Sequence, residues 1–269
     1  MNIDNLIKVN DENTKSKLLD YIGEDFKKVP YLYLDLEKYG LGNDNVETWY
    51  YDSNDIQCIF LRYFDCLHIY AKKMSKSIEE LILNVIYKIV PHTIITIDKI
   101  GLYLKDKLLD KYKTILSFVL DETNVLTSGI GYKVELAERD DLVEIADLFL
   151  QSEHYKRLYN KDVLLKQFEQ RYDDKFGRFF KVCDNGKIVG SLSTYGENDR
   201  FAIVSGMIVD LNYKKPGVAV SLSRWVNKTL REENKINLGF VSEDNIKSLN
   251  LALKQGGVKI SDYYQFIRI

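Results

Sequence analysis

The sequence predicts an α/β (α+β) fold built twice in tandem, each unit a mixed, mostly antiparallel twisted sheet flanked by helices. Three observations predict it. The chain has 269 residues, more than one typical domain of roughly 100–150. A turn-rich stretch from Thr123 to Gly131, with Asn124, Ser128, Gly129 and Gly131, interrupts the patterned segments near the middle. The order helix, β-meander, helix, strand, helix, strand then occurs on both sides of that stretch. It reads as duplication of one unit, divided into 1–126 and 127–269; chance recurrence of a common α/β order is the alternative.

In the first half, Ser16 to Phe26 reads as helix. Four β-rich runs come next: Tyr31 to Leu36, Val46 to Tyr51, Ile56 to Tyr63 and Cys66 to Ala71. Ile78, Leu81, Ile82, Val85, Ile86 and Ile89 recur at helical spacing, and Ser77 with Glu80 reads as a capping box for that helix. Thr93 to Ile97 is a strand, Ile100 to Leu109 a helix, and Tyr112 to Leu120 a strand.

The second half opens with a strand, Tyr132 to Leu136, and helices over Asp140 to Leu150 and Lys161 to Tyr172. Arg178 to Cys183 and Lys187 to Thr194 flank Asp184-Asn185-Gly186, a hairpin turn, and Phe201 to Val209 completes the meander. Val218, Leu222, Trp225, Val226 and Leu230 mark the next helix, with Trp225 read as core. Ile236 to Val241 is a strand. Asn245 to Lys254 is a helix bearing Ile246, Leu249 and Leu253, ended by Gly256-Gly257. Val258 to Ile260 and Tyr263 to Ile269 are the last strands.

Composition narrows the function classes. Hydrophobic residues make up 45% of the chain, enough for real cores, and the mean hydropathy of −0.25 suits a soluble protein. A net charge of −2 supplies no basic field for nucleic acid. No apolar run reaches the roughly 18–20 residues of a membrane span, and Met1-Asn2-Ile3-Asp4-Asn5 lacks the pattern of an export signal. Cysteines 58, 66 and 183 are three, an odd and sparse set that fits a reducing cytoplasm. Cys58 and Cys66 read as buried thiols rather than metal ligands, and no metal is expected. His68 and His92 look structural.

The most informative stretch runs from Val209 through Asp210-Leu211-Asn212-Tyr213-Lys214-Lys215-Pro216-Gly217-Val218-Ala219 to Val220. A strand ends in basic residues and a glycine, and an amphipathic helix begins. That order leaves backbone N–H groups unpaired at a helix N-terminus, which favours phosphate. Gly217 allows close backbone approach and small Ala219 keeps bulk away. Lys214 or Lys215 offsets phosphate charge, and Pro216 withholds one donor. A nucleotide-binding P-loop is ruled out, because no Gly-Lys-Ser/Thr comes after the glycine.

From Tyr132 to Ile269 the chain resembles the GNAT superfamily of acyl-coenzyme A-dependent N-acyltransferases. The family's loop, R/Q-x-x-G-x-G/A, aligns with Lys214-Lys215-Pro216-Gly217-Val218-Ala219, with Lys214 at the usual Arg or Gln position. Asn245, Ser248 and Gly256 match a second family pattern after Phe240-Val241-Ser242. The resemblance implies acetyl-coenzyme A as cofactor, its pyrophosphate on the 214–219 amides. It implies contact of its pantetheine arm with Asn245 and the Ser248 turn. Strands near Met207 and Ile236 should splay, so that Met207, Ile208 and Val209 pair with pantetheine as an added strand would. Met207 and Ile208 N–H groups are the implied oxyanion donors. Two departures stand out: Ala252 replaces a tyrosine that protonates the leaving thiolate in many members, and Gly257 replaces a phenylalanine. The first half shows no glycine in Lys72-Lys73-Met74-Ser75-Lys76-Ser77, and reads as a degenerate GNAT-like unit without cofactor.

Acyl transfer to an amine needs a proton acceptor and a place for the thiolate's proton. Tyr263 and Tyr264 are candidates, each with a core-ring alternative. His154, beside Glu153 and Tyr155, is a candidate base with a surface-histidine alternative. Ser205 is the polar side chain on the Phe201–Val209 run. Glu197 reads as a solvated turn residue, and Asp244, after Glu243, as a helix cap. The implied function is transfer of acetyl to a primary amine, on a small molecule rather than nucleic acid or a membrane. A catalytically inactive coenzyme A-binding or protein-interaction protein is the alternative. Cytoplasmic location is expected, and monomer or homodimer is left open.

Overall fold

The structure, a computed structural model, describes residues 5–129 and 131–269, and of residues 154, 157 and 158 the backbone only. The chain forms two compact units. One comprises residues up to Val119 with Val241–Asp244 and Ile260–Ile269; the other comprises Leu120–Phe240 with Asn245–Lys259.

The first unit runs β1 (Ile7–Lys8), α1 (Glu12–Ile22), α2 (Pro30–Tyr39), β2 (Val46–Asp52), β3 (Ile56–Tyr63), β4 (Cys66–Tyr70), α3 (Lys76–Ile89), β5 (Thr93–Ile97), α4 (Asp98–Lys107) and β6 (Tyr112–Asp121). The remaining elements are β7 (Glu135–Leu136), α5 (Leu142–Phe149), α6 (Glu153–Leu158), α7 (Lys161–Asp173), β8 (Phe179–Asp184), β9 (Lys187–Glu197), β10 (Phe201–Val209), α8 (Val218–Glu232), β11 (Ile236–Ser242), α9 (Ile246–Gln255) and β12 (Val258–Arg268).

In the first unit the strands lie in the order β1-β2-β3-β4-β5-β12-β6. The β2–β3 and β3–β4 pairs are antiparallel and β4–β5 is parallel. The chain's final strand therefore completes this sheet: Tyr263 to Ile267 pair antiparallel with Ile97 to Thr93. Tyr264 and Phe266 enter a core with Phe60, Leu67, Ile69, Leu81, Val85 and Ile94. Helix α4 rests on this strand at Gly101, where any Cβ would lie 2.2 Å from Tyr264 Cδ2.

The second unit has the order β11-β10-β9-β8-β7, antiparallel except for the parallel β10–β11 pair. The repeat is thus real at the level of topology. In each unit a three-stranded meander passes through one long helix to a strand parallel to the meander's last strand. The hairpin turn forms as expected, with Asn185 at φ 52° and Gly186 at φ 79°.

Several boundaries differ from the sequence reading. Tyr31 to Leu36 is not a strand but the body of α2. Pro30 opens that helix, where its fixed φ suits the first turn, and every residue from Pro30 to Leu36 is buried. A helix buried on all sides loses its 3.6-residue signature, so the Tyr-Leu alternation imitates a strand. The first helix starts at Glu12 behind the Asp11 cap and stops at Gly23, φ 55°, before a short 3₁₀ turn that holds Phe26. Helix α3 is capped by Ser75, not Ser77: Ser75 Oγ accepts from Ile78 N at 3.3 Å. Within 132–136 only Glu135–Leu136 pairs, and the two last strands are one continuous β12. Cys58 is buried as expected, Cys66 is half-buried, and Cys183 is exposed.

Phe266 has no exposed surface, so Phe266→Ala should destabilise the protein by about 3–5 kcal/mol in urea unfolding. A loss below about 1 kcal/mol would show that β12 does not hold the first unit's core together.

Candidate functional site

The site is built within the second unit, on β10 and the loop after it. Strand β10 pairs with β11 over only four residues, Phe201↔Ile236 through Val204↔Gly239. From Ser205 onward β10 has no register with β11 among the described residues, and Val204 to Val209 are half-buried where Phe201 to Ile203 are fully buried. The two parallel strands part at Val204 and Gly239.

A bulge lies just beyond the fork. Against β9, Ser205 faces Ser193 and Ile208 faces Ser191, so β10 advances three residues while β9 advances two. The extra residue is accommodated by Gly206 at φ 72°. Phe149 of α5 presses on the bulge, since a Cβ at Gly206 would lie 2.4 Å from its Cζ. Ser193 Oγ donates to the Ser205 carbonyl at 3.1 Å and fixes it from the β9 side. Met207 and Val209 pack toward the α8 face and Ile208 toward the α5–α7 face. The backbone between Ser205 and Val209 is therefore held rigidly on one side and open on the other.

Asp210 anchors the loop. It is 4% exposed, and its carboxylate accepts from Lys187 Nζ at 2.8 Å and from Asn212 N at 3.0 Å. The Lys187 bond, then the Asn212 N–H, keeps its carboxyl below the usual range. Tyr213 N donates to the Asp210 carbonyl at 2.9 Å, closing the turn. Lys214 Nζ donates to the Leu211 carbonyl at 3.1 Å, while Lys215 Nζ and the Tyr213 hydroxyl both donate to Asp184 Oδ2, at 2.6 and 2.9 Å. The lysines thus flank the helix start with their charge partly engaged.

Gly217 is the N-cap of α8, with φ 98° and ψ −7°, and has no side chain to cap with. Ser221 N, donating to the Gly217 carbonyl at 2.9 Å, makes the first bond of the helix. The N–H groups of Val218, Ala219 and Val220 precede it and meet no acceptor among the described residues. The nearest atom to a Cβ built on Gly217 is Tyr132 Cε2 at 3.5 Å, so the mouth of the helix is clear. Ser221 Oγ accepts from Gly131 N and Tyr132 N at 3.0 and 3.2 Å, tying that segment alongside. Behind the loop, α8 lies directly on β9, because a Cβ at Gly190 would be 2.5 Å from Val218 Cγ1. The equivalent helix in the first unit, α3, has its Ile78 amide taken by Ser75.

This arrangement fits a diphosphate: amides at a helix start, a glycine cradle, no carboxylate among residues 211–219, and lysines at the rim. Pro216 contributes no N–H. Among the described residues no group of three His, Cys, Asp or Glu side chains could hold a metal.

The expected site residues are not all brought together. Met207, Ile208, Val209, Lys214, Lys215, Pro216, Gly217, Val218, Ala219 and Ser205 lie on one continuous stretch, from the fork to the first turn of α8. Asn245 caps α9, accepting from Ser248 N at 3.2 Å, so Asn245 rather than Asp244 is the helix cap. Asp244 instead accepts from Ser242 Oγ at 2.7 Å. Tyr263 and Tyr264 lie in the first unit, 1% and 8% exposed, and pair with Ile97 and Thr96; burial pushes both phenols up. Both are core rings there. The backbone of His154 lies in α6, and its side chain is outside the described residues. Gly206 and Asp210 were not singled out in the sequence, though a glycine inside a β-run is itself a signal for a bulge.

Glu197 is not a solvated turn residue. It ends β9 with its side chain 9% exposed, bonded to Arg178 at 2.7 Å, to Lys235 at 2.8 Å and to the Thr194 hydroxyl at 2.6 Å. Burial alone would raise its pKa, but the Arg178, Lys235 and Thr194 bonds outweigh it and hold the carboxyl below the usual range. A carboxylate so held is an ion-cluster member, not a base.

Because Glu197 has a depressed folded pKa, its stabilisation is complete above the unfolded value of roughly 4.3 and lost as pH falls through the folded one. Glu197→Gln should therefore cost roughly 1.5–3 kcal/mol at pH 7, with the gap from wild type closing below about pH 4 in urea titrations. A gap independent of pH would contradict the ion cluster. Gly206→Val should cost roughly 2–4 kcal/mol through left-handed strain and collision with Phe149, and an unchanged unfolding midpoint would contradict the bulge.

Residues 130–257 match the sequence profile of the acetyltransferase (GNAT) family. No curated protein matches the chain in sequence. Solved structures share its fold at low identity. A Drosophila protein is 11% identical over 98% of both chains with a TM-score of 0.71. A tandem GNAT protein from the clavulanic acid biosynthesis pathway is 13% identical over 98% of both chains, with a TM-score of 0.61. A GNAT-family acetyltransferase from Colwellia psychrerythraea is 12% identical over 98% of this chain and 99% of that one, with a TM-score of 0.57. With the forked, bulged strand and the glycine-capped helix, the profile match makes residues 130–257 a domain of the acetyltransferase (GNAT) family.

Proposed function

We propose that the second unit transfers an acetyl group from acetyl-coenzyme A to a primary amine of a small molecule. The observation that carries this reading is the alignment of two open sets of amides along one stretch of chain: Ser205 to Val209 beyond the fork, and Val218 to Val220 at the helix start. The second set would hold the pyrophosphate, with Lys214 and Lys215 at its edge and Gly217 allowing close approach. The first set would pair with the pantetheine amides as an added strand pairs with a sheet edge. Asn245 and Ser248, at the start of α9, complete the expected contacts.

Acetyl-coenzyme A supplies an activated thioester. The chain's part is to orient it and to stabilise the oxyanion with the Met207 and Ile208 N–H groups. The left-handed Gly206 and its bulge take Met207 out of the β9 register, while Ile208 stays in register with Ser191. A reading in which the unit binds coenzyme A without turnover has its own support: buried Ala252 offers no proton, and Val204 to Val209 include no carboxylate.

Thiol release from acetyl-coenzyme A across a panel of amino sugars, amino acids and polyamines separates the two readings, because binding without release favours the second. Gly217→Glu, which puts a negative side chain into the amide cradle, should abolish acetyl-coenzyme A binding in calorimetry, with the unfolding transition still cooperative and its midpoint lowered by the strain of a side chain at φ 98°, as a Gly217→Ala control reports. Unchanged affinity would overturn the phosphate assignment.

A further inference from the structure

We propose that Glu122 is the proton-transfer group of the acyl transfer, taking the proton of the attacking nitrogen and returning it to the departing sulfur. This rests on the acyl-transfer reading and adds to it a residue from outside both family motifs.

Glu122 comes directly after β6 and runs beside β11 within the second unit, where its N–H donates to the Asn237 carbonyl at 2.9 Å. Its side chain lies against Gly239, the last residue of β11 paired to β10. A Cβ on Gly239 would stand 2.1 Å from Glu122 Oε1, and a Cβ on Gly257 would stand 3.4 Å from Glu122 Cγ. Two missing side chains therefore make the space that brings this carboxyl to the fork. The neighbouring α9 contributes Ala252, small and buried, whose carbonyl accepts from Gly257 N at 3.0 Å.

The carboxyl is 9% exposed as a residue and receives no hydrogen bond or ion pair among the described residues. Neither of its oxygens is among the fully enclosed unpartnered atoms, so the carboxyl keeps a contact with solvent through which a proton can exchange. The charged groups around it are Asp121, next to it in β6, and Arg231 of α8, whose guanidinium is committed to the Thr123 and Val125 carbonyls at 3.1 and 2.7 Å. Gly239, Ala252 and Gly257 do not titrate, and Asn237 and Gln255 are neutral amides with Asn237 Oδ1 and Gln255 Oε1 both unsatisfied. Burial, reinforced by the Asp121 charge, pushes the Glu122 carboxyl up to about 7. A group balanced between its two forms at neutral pH suits both halves of a proton relay.

The step balances without further reagents. The amine nitrogen bonds to the thioester carbonyl carbon, and the Glu122 carboxylate accepts the proton this nitrogen sheds. As the C–S bond breaks, the same proton passes from Glu122 to sulfur, leaving amide, free thiol and Glu122 ionised again. Val204, the β10 partner of Gly239, lies two residues before Gly206, where the open stretch of β10 begins.

The test uses the full chain labelled with ¹³C at glutamate carboxyls. One carboxyl should titrate near neutral pH, be missing from Glu122→Gln, and shift when acetyl-coenzyme A is added. In thiol-release assays Glu122→Gln should lower kcat about 100-fold or more with acetyl-coenzyme A affinity unchanged, and flatten the limb of the pH profile near neutrality. Glu122→Asp should restore that limb. Binding and turnover with an unmoved Glu122 signal, or an unaltered pH profile in Glu122→Gln, would overturn the role and leave the acyl-transfer reading standing. Failure of the wild-type chain to bind acetyl-coenzyme A would overturn both.

Discussion

The structural constraint behind the site is the early parting of two parallel strands. Backbone N–H and C=O groups in a sheet interior are satisfied by neighbouring strands, and leaving them open inside a folded domain is costly. In the second unit β10 keeps its β9 ladder but gives up β11 after Val204, and the Gly206 bulge takes Met207 out of the β9 register before Ile208 and Val209 rejoin it. Phe149 against Gly206 and Ser193 against the Ser205 carbonyl hold this open edge in one geometry. Beyond Val209 the Asp210-anchored turn and the uncapped start of α8 form a second set of open donors, placed by the same strand.

The two units show how little separates such an edge from an ordinary one. In the first unit β4 and β5 are also parallel and pair over three residues, but Thr96 donates its hydroxyl to the Ile69 carbonyl at 2.8 Å and spans the gap. The helix between those two strands is capped by the Ser75 hydroxyl. A glycine at 217 leaves those amides without a side-chain cap, whereas a serine at 75 satisfies one from within. The same topology thus supports an open edge in one unit and a closed one in the other, and the difference lies in a few side chains.

The chemistry obeys the same division. Glu197, a carboxylate set between basic residues, is fully engaged by Arg178 and Lys235 and is fixed in its ionised form. Glu122 is the contrasting case: its neighbours are glycines and an alanine, and no cation balances it among the described residues. Ionised groups held by cations stabilise a fold, while those buried without partners are poised to exchange protons.

Much of this was legible in the residues themselves. The periodicity at Ile78 to Ile89, the Asn185-Gly186 turn and the Lys214 to Ala219 loop are local signals, set by short-range geometry and chemistry, and they predict the tandem order and the helix-start cradle. Local signals failed where burial is complete: Tyr31 to Leu36 alternate like a strand yet form a helix, because a segment packed on every side carries no period. Partner choice was equally invisible. Whether Glu197 is solvated or clamped, whether Tyr264 meets solvent or the Gly101 backbone, and which sheet receives the final strand are decided by residues far away in sequence. The position of Glu122 against Gly239 and Gly257 belongs to the same class. One-dimensional patterning determines which elements form; only three-dimensional packing decides which groups are left without a partner, and here those are the groups the chemistry would use.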